Sequence, residues 1–482
     1  ATCLDVNRRC GFAFMMGRTG RYAFRTFVGG EEITLSGAGI IPLWEWNSLQ
    51  GIVDGREVRL YLNGSLVASA SAASEGVKIC DAELLIGRAR DNNSDWCGAR
   101  TADFNGAIDL IRIADDAEVT PYTSAYADLN LPESRYETDR LRARFHGQPG
   151  MNWTNETHGL FYNPGDGRYH VFFQRTGSAP VMSHQHWGHI VSDNLYEWHD
   201  EKPALAPGEN YDLRGCWSGC VFSDEVITGG KPAILYTGVN YDNGNGKSYA
   251  AIANCDDTGH LRYWSKDTRN PIVDEPGIDR DTYFFRKDAD NAYMIIGADN
   301  RIKLYRYDNG SWTPRGNFYT STSDDQGFTE MPNVTRLDNG KWLMTTTPWN
   351  PADGVVCLYR TGDIDSEGRF SDFSGVQKFD LFARNGYGLM SPSFGRDKDG
   401  RLIALGIVAD KMPTSFNLSH GYAHLYSLPR EISVDENGNL CQKPFAGAEA
   451  MRGAVGARLE PMTLDGAVNL APVRGRQAEI SA

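Results

Sequence analysis

GDGRYHVFFQ at 165–174, GGKPAILYTG at 229–238, ADNAYMIIGA at 289–298, NGKWLMTTTP at 339–348 and DGRLIALGIV at 399–408 are five versions of one pattern. Each is a Gly or Asp turn followed by an apolar run of strand length, and the starts are 64, 60, 50 and 60 residues apart. A period of this size, filled with short strands, is the spacing of β-propeller blades, and five units predict a five-bladed ring. The stretch immediately before each repeat also reads as a strand: TNETHGLFY from 154, CWSGCVFSD from 216, DRDTYFF from 279, TEMPNVT from 329 and LMSPSFG from 389. In a propeller this preceding strand lies nearest the axis. Counting back, Glu156, Ser218, Asp281, Glu330 and Ser391 stand 8 to 11 residues before their repeats, at matched places on five converging strands. Three of the five are carboxylates. Three acids aimed into one funnel repel one another, and such an arrangement is destabilising unless a ligand or a mechanism needs it.

The rest of the chain follows the same all-β habit. Helical periodicity is scarce, and short alternating or β-branched runs are separated by Gly, Asp, Asn and Pro turns. Within residues 1–130, VRLYLNGSLVASA (58–70) reads as a hairpin about Asn63-Gly64. This hairpin, with FNGAIDLIRIADD (104–116) as a closing strand, resembles the laminin-G or concanavalin-like jelly-roll sandwich. The expected organisation is a sandwich over 1–130, the propeller over 137–430, and over 431–482 a linker and the start of a C-terminal β-sandwich or an extension.

Composition excludes several function classes. The chain has 482 residues with 48 Lys plus Arg against 62 Asp plus Glu, a net charge of −14, so it has no electrostatic reason to bind nucleic acid or an anionic membrane. No run approaches the roughly 18 apolar residues of a membrane span. The nine cysteines form no CxxC pair and no Cys/His ligand spacing, and Cys216 and Cys220 read as small buried hydrophobes, so no metal site is expected in the propeller. The close spacing of His184, His186 and His189 on a strand does not fit a ligand set either.

Motifs in order along the propeller are similar to those of glycoside hydrolase family 32, the invertase, inulinase and levanase group. The family's Trp-Met-Asn-Asp-Pro-Asn-Gly stretch corresponds to Trp153-Thr154-Asn155-Glu156-Thr157-His158-Gly159, and its Tyr-Gln to Phe173-Gln174. HWGHIVSDNLYEW (186–198) matches its Trp-Gly-His and Ser-x-Asp-Leu-x-x-Trp pattern, and Trp217-Ser218-Gly219 its Phe-Ser-Gly. Arg280-Asp281-Thr282 stands for Arg-Asp-Pro, Glu330-Met331-Pro332 for Glu-Cys-Pro, and LPREISVDENGNLCQKP (428–444) for the segment that leads to the family's C-terminal sandwich.

The resemblance implies a retaining glycosidase acting on β-furanosides, with fructans or fructose-ended oligosaccharides as the substrates. By position Glu156 would be the nucleophile, Glu330 the acid/base, and Asp281 a hydrogen-bond acceptor for ring hydroxyls in the transition state. Arg280 would neutralise one of the three acids, and Trp153, Asn155, His158, Gln174, Trp187, Trp217 and Ser218 would complete the sugar site. No cofactor is implied beyond a structural Ca²⁺ in the N-terminal module. The resemblance also implies a secreted, periplasmic or cell-surface protein, although no signal peptide is visible. The departures concentrate at the site itself: Glu156 is one methylene longer than the family's Asp, and Thr157, His158, Thr282 and Met331 also differ. They leave open a furanosidase for another sugar, and a propeller that binds carbohydrate without hydrolysing it.

Overall fold

The computed structural model describes residues 1–466 except 18–19, 79, 88–103, 105, 241–246, 276–278, 351–353, 382–387, 457, 459–462 and 464–465. Among them strands dominate, and there is one α-helix, Thr414–His420. The five repeats are the second strands of five antiparallel blades. Blade 1 runs Asn152–Asn163, Arg168–Thr176, Gln185–Ser192 and His199–Leu205; blade 2 Gly215–Ser223, Pro232–Asn240, Lys247–Cys255 and Trp264–Lys266. Blade 3 runs Arg280–Asp288, Asn291–Ala298, Arg301–Asp308 and Ser311–Thr320; blade 4 Asn333–Arg336, Trp342–Thr346, Leu358–Ile364 and Phe370–Asp372. Blade 5 is Met390–Arg396, Leu402–Val408, Arg430–Val434 and Leu440–Pro444.

The first strands of successive blades touch in ring order, and that of blade 5 touches that of blade 1, so the circle is closed. Each blade presents apolar side chains on both faces, which is why the second strands read as nearly unbroken apolar runs instead of alternating ones. Pro232–Asn240, for instance, is buried along its whole length. The core is accordingly five interblade clusters, such as Phe172, Trp187, Cys216 and Ile234 between blades 1 and 2, and Phe285, Ile295, Val334 and Trp342 between blades 3 and 4. Cys216 and Cys220 pack in these interfaces, where burial pushes the Cys220 thiol up to about 12.

Two expectations are corrected. The propeller does not stop at 430: Arg430–Val434 pairs with Leu402–Ala404, and Leu440–Pro444 pairs with Arg430–Val434. Without them blade 5 would leave a two-stranded edge and an uncovered apolar face. Among the described residues no strand follows Leu440–Pro444, and 467–482, within the expected sandwich or extension, lie outside them.

At the N-terminus, a four-stranded sheet (Thr2–Asp5, Cys10–Met16, Arg21–Val28, Glu31–Ile40) faces a three-stranded one (Leu49–Asp54, Glu57–Leu62, Ser65–Ser71). Tyr22, Phe24, Leu35, Val58 and Leu60 pack between the two. The hairpin turns at Asn63 and Gly64, both with positive φ, as a tight two-residue turn requires. The expected closing strand is not formed among the described residues, where Ile108, Leu110 and Ile113 are exposed. The module covers the outer edge of blade 1, where Tyr126 donates to Glu201 at 2.7 Å and Lys202 pairs with Glu45 at 2.9 Å.

Candidate active site

Four of the five matched positions sit at irregularities in the pairing of the innermost strands. Register slips around Glu156 in blade 1, at Ser218 in blade 2, across Asp281-Thr282 in blade 3 and across Ser391-Pro392 in blade 5. A bulge inserts an extra residue and re-aims its side chain, which is how strand ends around a ring turn their side chains toward the axis. Asp281, Met331 and Ser391 also have positive φ, at 66°, 48° and 46°. Left-handed backbone at residues other than glycine costs free energy and gathers at sites that need one fixed geometry.

Glu330 is held differently, just before the first strand of blade 4. Thr329 bonds back to blade 3 through its N–H to the Ala298 carbonyl at 3.1 Å, and the Thr347 N–H of blade 4 donates to the Glu330 carbonyl at 2.8 Å. The close approach works because position 297 is glycine: a Cβ there would lie 2.2 Å from the Thr329 carbonyl oxygen.

Side chains then link the site. Asn155 donates to Gln174 Oε1 at 3.0 Å, Gln174 donates to Ser218 Oγ at 3.1 Å, and Ser218 donates to Glu156 Oε2 at 2.5 Å. Every donor in this chain points toward Glu156. Arg280 pairs with Glu330 and lies 3.8 Å over the Phe328 ring. Asp281 accepts the Met331 N–H at 3.0 Å.

Burial and like charge act on the acids. Burial first, and then the charges of Asp281 and Glu330, hold the Glu156 carboxyl well above the usual range, against the opposing pull of the Ser218 hydroxyl and Arg280. Burial also raises Asp281 to about 6, despite Arg280 and the Met331 N–H. Burial and mutual repulsion thus favour the protonated form of Glu156 and Asp281 more than water would.

The structure thus brings together Glu156, Asp281, Glu330, Arg280, Ser218, Gln174 and Asn155. It separates two residues from them. Trp187 is fully buried between blades 1 and 2, with its indole N–H on the Trp217 carbonyl at 3.0 Å. His158 is 1% exposed, packs its ring 4.3 Å from that of Trp187, and is held neutral by burial, which lowers its pKa to about 3. Neither reaches the axis, because each side chain points to the interblade face of its own strand. Trp153 is also largely buried, edge-on to His424, whereas Trp217 is half-buried with its indole N–H on Gln185. The His186 ring bonds the His184 backbone carbonyl and the His189 ring bonds His170, so the three closely spaced imidazoles do not converge.

Sequence reasoning missed a set of threonines. Thr237 Oγ1 accepts the Asp281 N–H at 2.9 Å and donates to the Ser218 carbonyl at 3.0 Å, joining the bulges of blades 2 and 3. Thr347 Oγ1 accepts the Ser391 N–H at 3.0 Å, and Thr157 Oγ1 accepts the Ser393 N–H at 3.1 Å. A signal was present: Thr237 and Thr347 are both the ninth residue of their repeats.

A closed five-bladed propeller with three acids and an arginine at one end of its axis defines a class of carbohydrate-active proteins, and comparison with known proteins agrees. Residues 146–444 match the glycosyl hydrolases family 32 N-terminal domain, and the chain belongs to that family. Residues 3–119 match the concanavalin A-like lectin/glucanases superfamily. The chain is 29% identical over 341 residues to a fructan 1-exohydrolase of Hordeum vulgare, covering 64% of this chain and 55% of that protein. It is 30% identical over 352 residues to a raffinose invertase of Escherichia coli, covering 67% and 70%. Fructan 1-exohydrolase IIa from Cichorium intybus shares the fold, with a TM-score of 0.56, 24% identity, and 66% and 63% coverage. Sucrose-6-phosphate hydrolase from Lactobacillus gasseri does so with a TM-score of 0.57, 23% identity and 67% coverage of both chains. The chain spans between 55% and 60% of the length of the plant relatives it matches.

Proposed function

We propose that the protein is a retaining glycoside hydrolase that cleaves β-fructofuranosidic bonds in fructans or fructose-ended oligosaccharides. The observation that carries this reading is the grouping of Glu156 and Asp281, at bulged strands, and Glu330, just before its strand, around Arg280 in a family 32 propeller. Glu156 attacks the anomeric carbon with Oε1, because Oε2 is occupied by the Ser218 hydroxyl. Glu330 gives its proton to the leaving oxygen, and a covalent glycosyl ester forms on Glu156. Glu330, now a carboxylate, takes a proton from water; the water oxygen bonds to the anomeric carbon, and Glu156 leaves as carboxylate.

The scheme requires the acid form of Glu330 and the carboxylate form of Glu156 when substrate binds. Arg280 steadies the ionised partners, and Asp281 accepts sugar hydroxyls more strongly as charge develops on the ring. Carboxyl groups supply the acid, base and nucleophile, so the reaction as written uses no cofactor. Relatives that include a cell wall isozyme of Pisum sativum support an extracellular site of action.

The test is a screen of sucrose, inulin, levan and aryl β-furanosides, with the first-formed product anomer followed by NMR. Release of β-fructofuranose before mutarotation is expected. Initial release of the α anomer, or no hydrolysis of any of these substrates, overturns the proposal.

A further inference from the structure

Three thiols of the N-terminal module meet at one point. Cys3 and Cys10 lie on the paired strands Thr2–Asp5 and Cys10–Met16, where Cys3 stands opposite Phe12 and Cys10 opposite Asp5. Cys80 arrives some 70 residues later, on the segment that returns across this hairpin and is fixed by the two Thr2–Leu85 backbone bonds of 2.9 and 2.8 Å.

What lets it approach is Gly11, the residue opposite Leu4. A Cβ at Gly11 would lie 3.0 Å from the Cys80 Cβ and 1.9 Å from the Cys3 carbonyl oxygen. Bare backbone at this position seats Cys80 between the two strand cysteines. The Cys80 thiol is in side-chain hydrogen-bond contact with the thiols of both Cys10 and Cys3. The Cys3 thiol is 3.1 Å from the Ala82 carbonyl. Cys10 is buried, while Cys3 and Cys80 are half-exposed.

We infer that Cys80 and Cys10 form a reversible disulfide by thiol–disulfide exchange, Cys80 being the thiol that meets an external disulfide. The oxidant is a small-molecule or protein disulfide. The Cys80 thiolate attacks one of its sulfurs, forming a mixed disulfide and expelling the other sulfur as a thiol. Cys10 loses its proton and attacks the Cys80 sulfur, closing the Cys10–Cys80 bond and expelling the second thiol. Two protein thiols are oxidised and one external disulfide is reduced to two thiols.

Within the pair access fixes the order, since Cys10 is buried and the half-exposed Cys80 sulfur can receive an incoming disulfide. Ionisation agrees with it. Burial opposes the Cys80 thiolate, but hydrogen bonds from Cys10, the Ala82 N–H and Cys3 outweigh this and leave its pKa below the ordinary thiol value. Its interaction with Cys80, and then burial, raise Cys10 to about 11, which suits the partner that reacts second. The bond would tie the first hairpin of the sandwich to the segment that follows its last strand.

The experiment equilibrates the full chain with glutathione and glutathione disulfide at about pH 8. Free thiols are then capped with N-ethylmaleimide and the digested protein is mapped by mass spectrometry without reduction. A Cys10–Cys80 cross-linked peptide pair is expected, with loss of two titratable thiols and full reversal by dithiothreitol. In Cys10→Ser, Cys80 should be recovered joined to glutathione or to Cys3. Recovery of Cys10 and Cys80 both carrying maleimide from the oxidised parent overturns the proposal, as does capping of each by glutathione with no internal link. Mapping the parent requires no variant to fold, so the pairing is decided even if Cys10→Ser is unstable.

Discussion

The Ser218 hydroxyl donates to Glu156 Oε2 at 2.5 Å across the boundary between blades 1 and 2, and is itself held by Gln174 at 3.1 Å. This bond orients Glu156, the proposed nucleophile, and favours its ionised form against burial and two neighbouring acids. A hydrogen bond to a charged group contributes about 1.5–3 kcal/mol, so Ser218→Ala is expected to lower kcat by about 10- to 100-fold. Because the bond pulls the Glu156 pKa down, its loss should move the acid limb of kcat/KM to higher pH. A Ser218→Ala variant with an unshifted acid limb would show that the hydroxyl does not act on Glu156.

Glu156 itself is tested by two substitutions. Glu156→Gln keeps the shape and can still bond Ser218, but it cannot attack carbon, so turnover should vanish while sugar binding by calorimetry persists. Glu156→Asp draws the carboxylate back by about 1 Å, and a misplacement of that size costs on the order of 10²-fold in rate. A gain of activity in the Asp variant would mean that the surrounding site is shaped for the shorter side chain.

Asp281 carries a stability cost that pH should expose. Its folded pKa of about 6 lies above the ordinary Asp value, so between about pH 4 and 6 the folded state holds a proton that the unfolded chain has lost. Stability from this group is therefore present below about pH 4 and is lost as pH rises through 6. Asp281→Asn should flatten that decline and raise stability at pH 7 by up to about 3 kcal/mol, read from urea midpoints at pH 4 and 7. Activity should fall by at least about 10²-fold, since the transition-state acceptor is gone. Lower stability of the variant at pH 7 would contradict the burial argument.

Thr237 is a positioning residue. Thr237→Val leaves the buried Asp281 N–H and Ser218 carbonyl without their partner, a loss of about 1–3 kcal/mol in stability. If Thr237 only supports the fold, kcat on the folded fraction will match the parent. If it sets the direction of Asp281, kcat will fall with KM little changed, and Thr237→Ser will restore it.

The ring was legible because its cause is local and repeated. A second strand buried on both faces must be apolar throughout, and five such runs with turn residues before them, GDGRYHVFFQ to DGRLIALGIV, leave few other architectures. The matched places of Glu156, Asp281 and Glu330 followed from the same count. What the chain did not disclose is where each side chain points within a strand. A bulge shifts the pairing by one residue and sends neighbouring side chains to different faces, so Glu156 turns to the axis while His158, two positions on, packs against Trp187 between blades. The pairing of Arg280 with Glu330, the line of donors ending at Glu156, and the contacts of Cys80 with Cys3 and Cys10 join residues 19 to 77 positions apart in sequence. Contacts of that span are decided by how bulges and inter-strand turns stack separate segments, and residue type alone carries no record of that stacking.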